Sequence, residues 1–270
     1  MKVVDVTLGS TSVDYIDISW KVADTFENSL HITYQVLRGE NLAGPFEAVS
    51  DPLTDRFHLR DYIAPRKMSW RNLYYVVETV NTITGESNRS DPVNLRARPP
   101  LDALEMIRLN TLLFKEFVGR PCLIYSLRTY GEKCTNCFDE ITQRRTIANC
   151  HSCYGTGYAR GFNFPMYAYV KISPEQRGNI PTQASSITQQ SQVQANMSIY
   201  PLVKVGDIII EYEGTRWRVQ NVSYTERLRS PVQQMLMLSR IPECDIEYKL
   251  PVSWDGIDQF NRNYSYRTSL

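Results

Sequence analysis

Residues 134–158 read CTNCFDEITQRRTIANCHSCYGTGY and contain four of the six cysteines of the chain. The four form two C-x2-C pairs with twelve residues between them. Thiolates at this spacing bind one metal ion from a single tight turn, and a second such turn completes a tetrahedron. The stretch therefore predicts a metal-binding lobe with Cys134, Cys137, Cys150 and Cys153 as its ligands.

Four sulfur ligands favour Zn²⁺, because this ion is borderline-soft and has no geometric preference of its own. A catalytic zinc keeps one position open for water, so four cysteines indicate a structural site. Disulfides, an iron–sulfur cluster and thiol redox chemistry are the alternatives. Redox chemistry is disfavoured because neither CTNC nor CHSC has the strand-then-helix setting of thioredoxin-like sites. His151, inside the second pair, is predicted to be a surface or supporting residue and not a ligand.

A hairpin is predicted for the twelve intervening residues, because it would bring the two cysteine turns together. Gly155 follows the second pair by two positions, where positive φ lets backbone N–H groups point at sulfur. Asp139 holds that position in the first turn and tolerates the conformation less well. Lys133, Arg144 and Arg145 are close enough in sequence to offset the charge of about −2 on a tetrathiolate zinc. Since residues 119–164 contain few large aliphatic side chains, this lobe is expected to depend on its metal, which can contribute of order 10 kcal/mol.

The composition describes a globular protein of two or three small domains, with 270 residues of which 42% are hydrophobic. The formal net charge of +1 gives no general reason to bind nucleic acid. No apolar run of about 18 residues is present and the first residues alternate like a strand, so neither a membrane span nor a signal peptide is expected. The cysteines are too sparse for a disulfide scaffold, and Cys122 and Cys244 stand alone, which favours a reducing cytosol.

Residues 1–98 are predicted to form short strands separated by turns. HITYQVLRG and LYYVVETVN are dense in β-branched and aromatic residues, and NLAGPF, SDPL, TITGES and SDPV are turn signals. With Trp20 on the second strand and LYYVVETVNTITGESNRSDPVNL at the end, this segment resembles the fibronectin type III family. The resemblance implies an Ig/fibronectin III-like β-sandwich. The sequence departs from the family at Leu73, where a corner tyrosine usually lies.

Residues 99–119 are predicted to be a linker followed by a helix. Consecutive prolines in RARPP stiffen the joint. Apolar residues then recur at roughly helical spacing: Leu104, Ile107, Leu112 and Phe117. Asp102 and Glu105 form a capping-box pattern, and Gly119 before Pro121 ends the helix.

The C-terminal half is predicted to contain a zinc-ribbon lobe at 120–163 and a return to strands at 164–245. Ile208, Ile210 and Tyr212 alternate, the chain turns at Gly214, and PVQQMLMLSRI supplies a partner strand. An extended arm at 173–199 is rich in Gln, Ser and Thr and lacks a core of its own. Residues 246–270 are predicted to be a tail that orders on a partner.

Catalytic signatures are missing from the sequence. GxSxG, the P-loop, HExxH and GxGxxG after a strand are all absent, and none of His31, His58 and His151 lies in a nucleophile motif. Glu211 and Glu213 alternate along a strand and are interpreted as its solvated side. The chain is therefore not expected to be an enzyme.

The order of helix, CTNC…CHSCYGTGY ribbon and VGDIIIEYEGTRWRVQNVSY strand pair resembles the neck or head-completion proteins of tailed bacteriophages. In stopper-type members a GD-apolar-apolar…G-x-R-W-x-V-x-x-V pattern, here 206–222, forms the central hairpin of a small β-barrel. The resemblance implies a barrel over 164–245 and a ring of six or twelve identical subunits between the portal or adaptor and the tail. DNA would pass through its channel without sequence-specific binding. The protein would be part of the virion, assembled in the host cytoplasm, with no membrane contact and no catalytic turnover.

Two alternatives stay open. Zinc ribbons often bind DNA or RNA, and Lys133, Arg144, Arg145 and Arg160, with nearby tyrosines, would be the contact patch. A tail-tip or baseplate component could instead bind host sugars through the N-terminal sandwich.

Overall fold

The computed structural model describes residues 2–10, 15–26, 28–62, 73–94, 100–173 and 192–255. Within these residues the chain is mainly β, with 17 strands and one α-helix. The strands form two sheets in the N-terminal third, a closed barrel in the C-terminal half, and a two-stranded ribbon between them. The predicted fold class is therefore confirmed as mainly β with several sheets.

The N-terminal body contains two antiparallel sheets. The first has the strand order β1-β2-β6, formed by β1 (Val3–Ser10), β2 (Ile16–Val22) and β6 (His58–Asp61). The second is built around the pair β3–β7 and comprises β3 (Ile32–Gly39), β4 (Glu47–Ala48), β5 (Leu53–Thr54), β7 (Tyr74–Asn81), β8 (Ser87–Arg89) and β9 (Val93–Asn94). Strands β3 and β7 coincide with the two aromatic and β-branched runs singled out in the sequence, which confirms both predictions.

One apolar core joins these two sheets. Trp20 of the first sheet packs against Tyr34 of the second with ring centroids 6.0 Å apart, and both are fully buried. Leu73, at the position of the expected corner tyrosine, is buried. The Tyr75 hydroxyl donates to the buried carboxylate of Asp61 at 2.9 Å, so a tyrosine two positions further on ties the sheets together.

The barrel closes through six strands in the order β10-β13-β14-β17-β16-β15. They are β10 (Arg120–Tyr125), β13 (Met166–Ile172), β14 (Gln192–Ser198), β15 (Ile208–Glu211), β16 (Arg216–Arg227) and β17 (Ser230–Arg240). Strand β10 belongs to the barrel and not to the lobe predicted for 120–163, because it pairs with both β13 and β15 and closes the ring of hydrogen bonds. Of the arm predicted at 173–199, Gln192–Ser198 is a barrel strand and residues 174–191 lie outside the described residues.

Residues 246–255 pack on the outside of the barrel of their own chain, which corrects the prediction that this part of the tail orders on a partner. Strand β15 is buried on both faces, because Ile208 and Ile210 point out of the barrel and contact a cluster that includes Leu250 and Trp254. The Tyr125 hydroxyl donates to the Pro251 carbonyl at 2.8 Å. Residues 256–270 lie outside the described residues.

The linking helix α1 (Leu101–Leu113) continues as a π-helical turn, Phe114–Val118. Its buried face is Ala103, Ile107, Thr111 and Phe114, so of the predicted apolar stripe Ile107 is buried and Phe117 is 81% exposed. The capping box does not form: the N-cap is Pro100, which has no side-chain acceptor. Glu105 instead pairs with Arg108 one turn later, at 2.6 Å.

The hairpin predicted over 206–222 is confirmed as β15–β16. Gly206 enters it at φ +92°, and a Cβ there would meet Leu127 at 3.0 Å. Asp207 is buried, and its two carboxylate oxygens each accept a backbone N–H, from Leu127 and Lys204, at 2.8 Å. Burial raises the pKa of this carboxyl to about 6 against the opposing effect of those hydrogen bonds. Asp207 therefore fixes the chain leaving β10 to the start of the hairpin.

The sequence predicts that Glu211 lies on the solvated side of its strand. The structure shows that it is buried. Its Oε1 accepts the indole N–H of Trp217 at 2.6 Å. Glu213, which lies in the turn, is exposed.

We expect Asp207→Ala to lower the free energy of unfolding by about 2–4 kcal/mol, because two backbone donors lose a charged acceptor. Chemical denaturation followed by tryptophan fluorescence measures the change. Asp51→Ala, at an exposed aspartate, is the matched control and should stay within about 0.5 kcal/mol of the wild type. Equal effects of the two substitutions would contradict the role given to Asp207.

Candidate metal centre

Two tight turns present the four cysteines. In the first, the backbone N–H of Phe138 donates to the Cys134 carbonyl at 3.0 Å. In the second, the N–H of Thr156 donates to the Cys153 carbonyl at 3.0 Å, and the chain passes through Gly155 at φ +77°. A Cβ on Gly155 would approach the Ala148 carbonyl oxygen to 2.9 Å, so this position requires glycine for both conformation and space.

The hairpin between the turns forms as predicted, although it is short. Strand β11 (Phe138–Asp139) pairs with β12 (Arg144–Arg145). The N–H of Thr146 then donates to the Cys137 carbonyl at 2.7 Å, so the returning strand is tied to the first turn. Asp139 lies in β11 and its carboxylate accepts from Ile141 and Thr142 at the hairpin turn, which is a different role from the one its position suggested.

The four sulfur atoms lie together in the interior. They are all within 4.8 Å of one another, and every one of the four residues is buried. The Sγ–Sγ distance is 3.9 Å from Cys134 to Cys150 and 3.3 Å from Cys137 to Cys153. A tetrahedral zinc with Zn–S bonds of about 2.3 Å has sulfurs about 3.8 Å apart, whereas a disulfide requires about 2.05 Å. These four thiols can therefore hold one metal ion.

The thiols differ in how readily they lose a proton. Burial raises the pKa of Cys134 and of Cys137 above the ordinary value. Burial also opposes ionisation of Cys150, but hydrogen bonds from the backbone N–H groups of Ser152 and Cys153 and from the thiols of Cys153 and Cys137 together outweigh it and lower the pKa of Cys150 to about 7. Since a metal binds the thiolate form, loading of this site releases protons.

The basic residues around the cluster are largely committed to other contacts. Lys133 lies 2.7 Å from the Asp24 carboxylate and donates to the Tyr158 hydroxyl. The Arg145 guanidinium donates to the carbonyl of Gly155 in the second turn. Arg144 is exposed on β12, and His151 is exposed inside the second pair, as its predicted surface role requires.

A polar junction between the cysteine lobe and the N-terminal body was not predicted. Asp55 is 1% exposed and its carboxylate receives both terminal nitrogens of Arg128, at 3.0 and 3.1 Å. Arg160 lies 2.5 Å from the same carboxylate, and the Ser29 hydroxyl donates to it at 3.1 Å. The Ser29 backbone N–H donates to Glu132 of the lobe, at 2.9 Å. The residues that bind Asp55 lie 26 to 105 positions from it in sequence, and no local motif marks them.

This junction bears on the nucleic-acid alternative. Of the four cations in the predicted contact patch, Lys133 and Arg160 form ion pairs with Asp24 and Asp55 of the N-terminal body. Arg144 and Arg145 remain exposed on the ribbon. Two of the four positive charges of the patch are therefore paired with carboxylates, and of these two cations Arg160 stays 44% exposed.

Within the part of the chain that the structure describes, the four cysteines are the single cluster of His, Cys, Asp or Glu that could hold a metal ion. Among the same residues, no helix has the length and apolar character needed to cross a bilayer. No protein-family model, characterised protein or solved structure matches the chain.

We expect the purified chain to contain about one zinc ion, and Cys150→Ser to lose it together with the folded lobe. Elemental analysis and thermal unfolding measure the two effects. Cys244→Ser is the matched control, because this cysteine is exposed and outside the cluster. A metal-free wild type, or a Cys150→Ser variant with full zinc, would contradict the site.

Proposed function

We propose that the chain is a structural protein of the neck of a tailed bacteriophage. Identical copies, six or twelve, would form a ring between the portal or adaptor and the tail, within the virion and after assembly in the host cytoplasm. DNA would pass through the ring without sequence-specific binding. The observation that carries the proposal is the closed cysteine cluster between two β bodies, because a fully enclosed site holds domains in place and leaves no position for a substrate.

The barrel hairpin supports the same proposal. Three residues of the pattern that resembles stopper-type neck proteins have a structural task in this chain. Gly206 provides the positive φ, Asp207 binds two backbone N–H groups, and Trp217 lies in the barrel core and pairs with Glu211. A pattern whose members hold the barrel hairpin together fits a family in which the barrel is the common part.

We propose that the metal is Zn²⁺ in a structural role, bound by the two C-x2-C turns. The all-thiolate donor set, the sulfur separations of 3.3 and 3.9 Å, and burial of every ligand residue all fit this ion. The lobe residues 140–149 are all exposed, so the segment between the turns has no apolar core to hold it.

We further propose that the N-terminal body is a fibronectin III-like sandwich that binds protein surfaces. Its first, second and sixth strands form one sheet and its third and seventh strands are central in the other, over one core. Trp20 lies at the centre of that core, on the second strand as in the resemblance. The sandwich would present a protein-binding surface at a fixed place on the ring.

Particle imaging tests the proposed location. In particles of the virus that encodes the chain, a label at the N terminus should lie at the junction of head and tail, with six- or twelve-fold symmetry. The purified chain mixed with the matching portal protein should form rings of the same order. A label at the distal end of the tail would favour the tail-tip alternative, and absence from particles would overturn the proposal.

DNA binding tests the other alternative. We expect weak duplex binding at physiological salt with a shallow salt dependence, because two of the four cations in the predicted patch are paired with carboxylates and the formal net charge is +1. Fluorescence anisotropy with labelled duplex DNA at several salt concentrations measures this, with Arg144→Glu as the variant. Tight binding that falls steeply with salt, and is lost in Arg144→Glu, would favour a nucleic-acid-binding protein.

A further inference from the structure

The cysteine lobe extends from the barrel as a ladder, that is, two antiparallel chain segments joined by backbone hydrogen bonds. Residues 126–134 run antiparallel to residues 157–163, and the metal cluster lies at the end remote from the barrel. Four backbone hydrogen bonds mark the ladder from the barrel outward: Asn163 to Ser126 (2.9 Å), Arg128 to Gly161 (3.0 Å), Ala159 to Glu132 (2.9 Å) and Cys134 to Gly157 (3.0 Å). The outermost of these bonds involves a cysteine of the cluster itself, so a bound metal closes the free end of the ladder.

The N-terminal body docks on this ladder through its backbone. The N–H of Thr25 donates to the Gly131 carbonyl at 3.0 Å, and the N–H of Lys133 donates to the Thr25 carbonyl at 2.8 Å. Thr25 therefore pairs in parallel with Glu132, next to the cysteine end of the ladder. Lys133, which makes the second of these hydrogen bonds, directly precedes Cys134 in the sequence.

Side chains fix the orientation of this docking. Asp24 accepts from the Gly131 N–H at 3.2 Å and pairs with Lys133. Asp55 binds Arg128 from one ladder segment and Arg160 from the other, so its carboxylate spans both. Because both guanidinium groups must be in register to reach one carboxylate, the contact depends on the ladder being closed.

We infer that loading of the cysteine site with metal holds the N-terminal body in its orientation on the ladder. Without the ion nothing closes the cysteine end of the ladder, and the ladder opens from that end. The hydrogen bond from Cys134 to Gly157 breaks first, and the pairing of Thr25 with Glu132 breaks next. The two β bodies keep their own cores and the direct packing of Tyr15 on Tyr167 and Tyr169, but the N-terminal body loses its docking at the cysteine end. This inference rests on the proposed metal site and not on the proposed place in a virion.

Hydrogen exchange of the full chain, zinc-loaded and after chelation, tests the inference. The amides of Cys134, Lys133 and Thr25 should exchange at least about tenfold faster after chelation, because local opening is enough to expose them. The amide of Arg128, at the barrel end, should change less. Strands β3 and β15 should keep their rates, and added zinc should restore all of them.

The variant Asp55→Asn loosens the joint without touching the cysteines. Asp55 has φ +53°, a conformation that asparagine also tolerates, so the loop is preserved. Exchange at Thr25 should accelerate in the zinc-loaded variant. By linkage its zinc affinity, measured in competition with a chromophoric chelator, should fall several-fold. Asp51→Asn is the control at an exposed position and should match the wild type.

Three results would overturn the inference. Unchanged protection at Thr25 and Lys133 after chelation would show that the docking does not need the metal. Loss of protection throughout β3 would show that the metal stabilises the N-terminal body itself and not its orientation. An Asp55→Asn variant with wild-type zinc affinity would show that the two sites are uncoupled. None of these results bears on whether the chain is found in the neck of a virus particle.

Discussion

The segment between the two β bodies has almost no apolar interior. The rest of the arrangement therefore depends on what replaces an apolar core in this segment. Ten consecutive residues between the cysteine turns are exposed, and Ile141 is 92% exposed. Burial of a large aliphatic side chain contributes about 1.5–3 kcal/mol, so a segment without such side chains cannot offset the entropy of ordering its backbone. Four buried thiols brought within 4.8 Å are the lobe's substitute for a core. The N-terminal body and the barrel touch directly where Tyr15 packs on Tyr167 and Tyr169, and they are also joined through this lobe, which a single ion can hold.

Beside the packing of Tyr130 on Phe57, the contacts of that lobe include a polar, directional junction. A carboxylate that is 1% exposed receives two arginines and a serine hydroxyl at the junction with the N-terminal body. Buried ion pairs contribute little net stability, because desolvation offsets the attraction, yet removing one partner is costly. An apolar contact of the same size would tolerate sliding. The junction at Asp55 is therefore better suited to fixing one orientation than to holding two bodies together, and it complements the cysteine cluster.

The features that sequence could predict are those with a local signature. Cysteine spacing identified the four clustered thiols, alternation identified β3, β7 and the β15–β16 hairpin, and the position of Gly155 predicted its positive φ. The misses share a different cause. Glu211 looked solvated because Ile208 and Ile210 look like the core face of β15, whereas these two contact residues 246–255 outside the barrel and Glu211 lies on the inner face with Trp217. Arg128 pairs with a residue 73 positions away. The helix cap failed for a local reason: Pro100 occupies the N-cap, so the Asp102 pattern falls two residues too late.

A ring through which DNA moves must bind that DNA only weakly. This condition relates the charge of the chain to its proposed place in the neck of a bacteriophage. Duplex DNA carries one negative charge per about 1.7 Å, and cations that neutralise phosphates bind by releasing counterions, whatever the sequence. A lobe with four accessible cations would act as such a contact. In this chain Lys133 and Arg160 are paired with carboxylates of the N-terminal body, and the formal net charge is +1. The same ion pairs that orient the N-terminal body thus offset two of the positive charges of the patch, so the docking of the N-terminal body and a less basic patch come from one set of contacts.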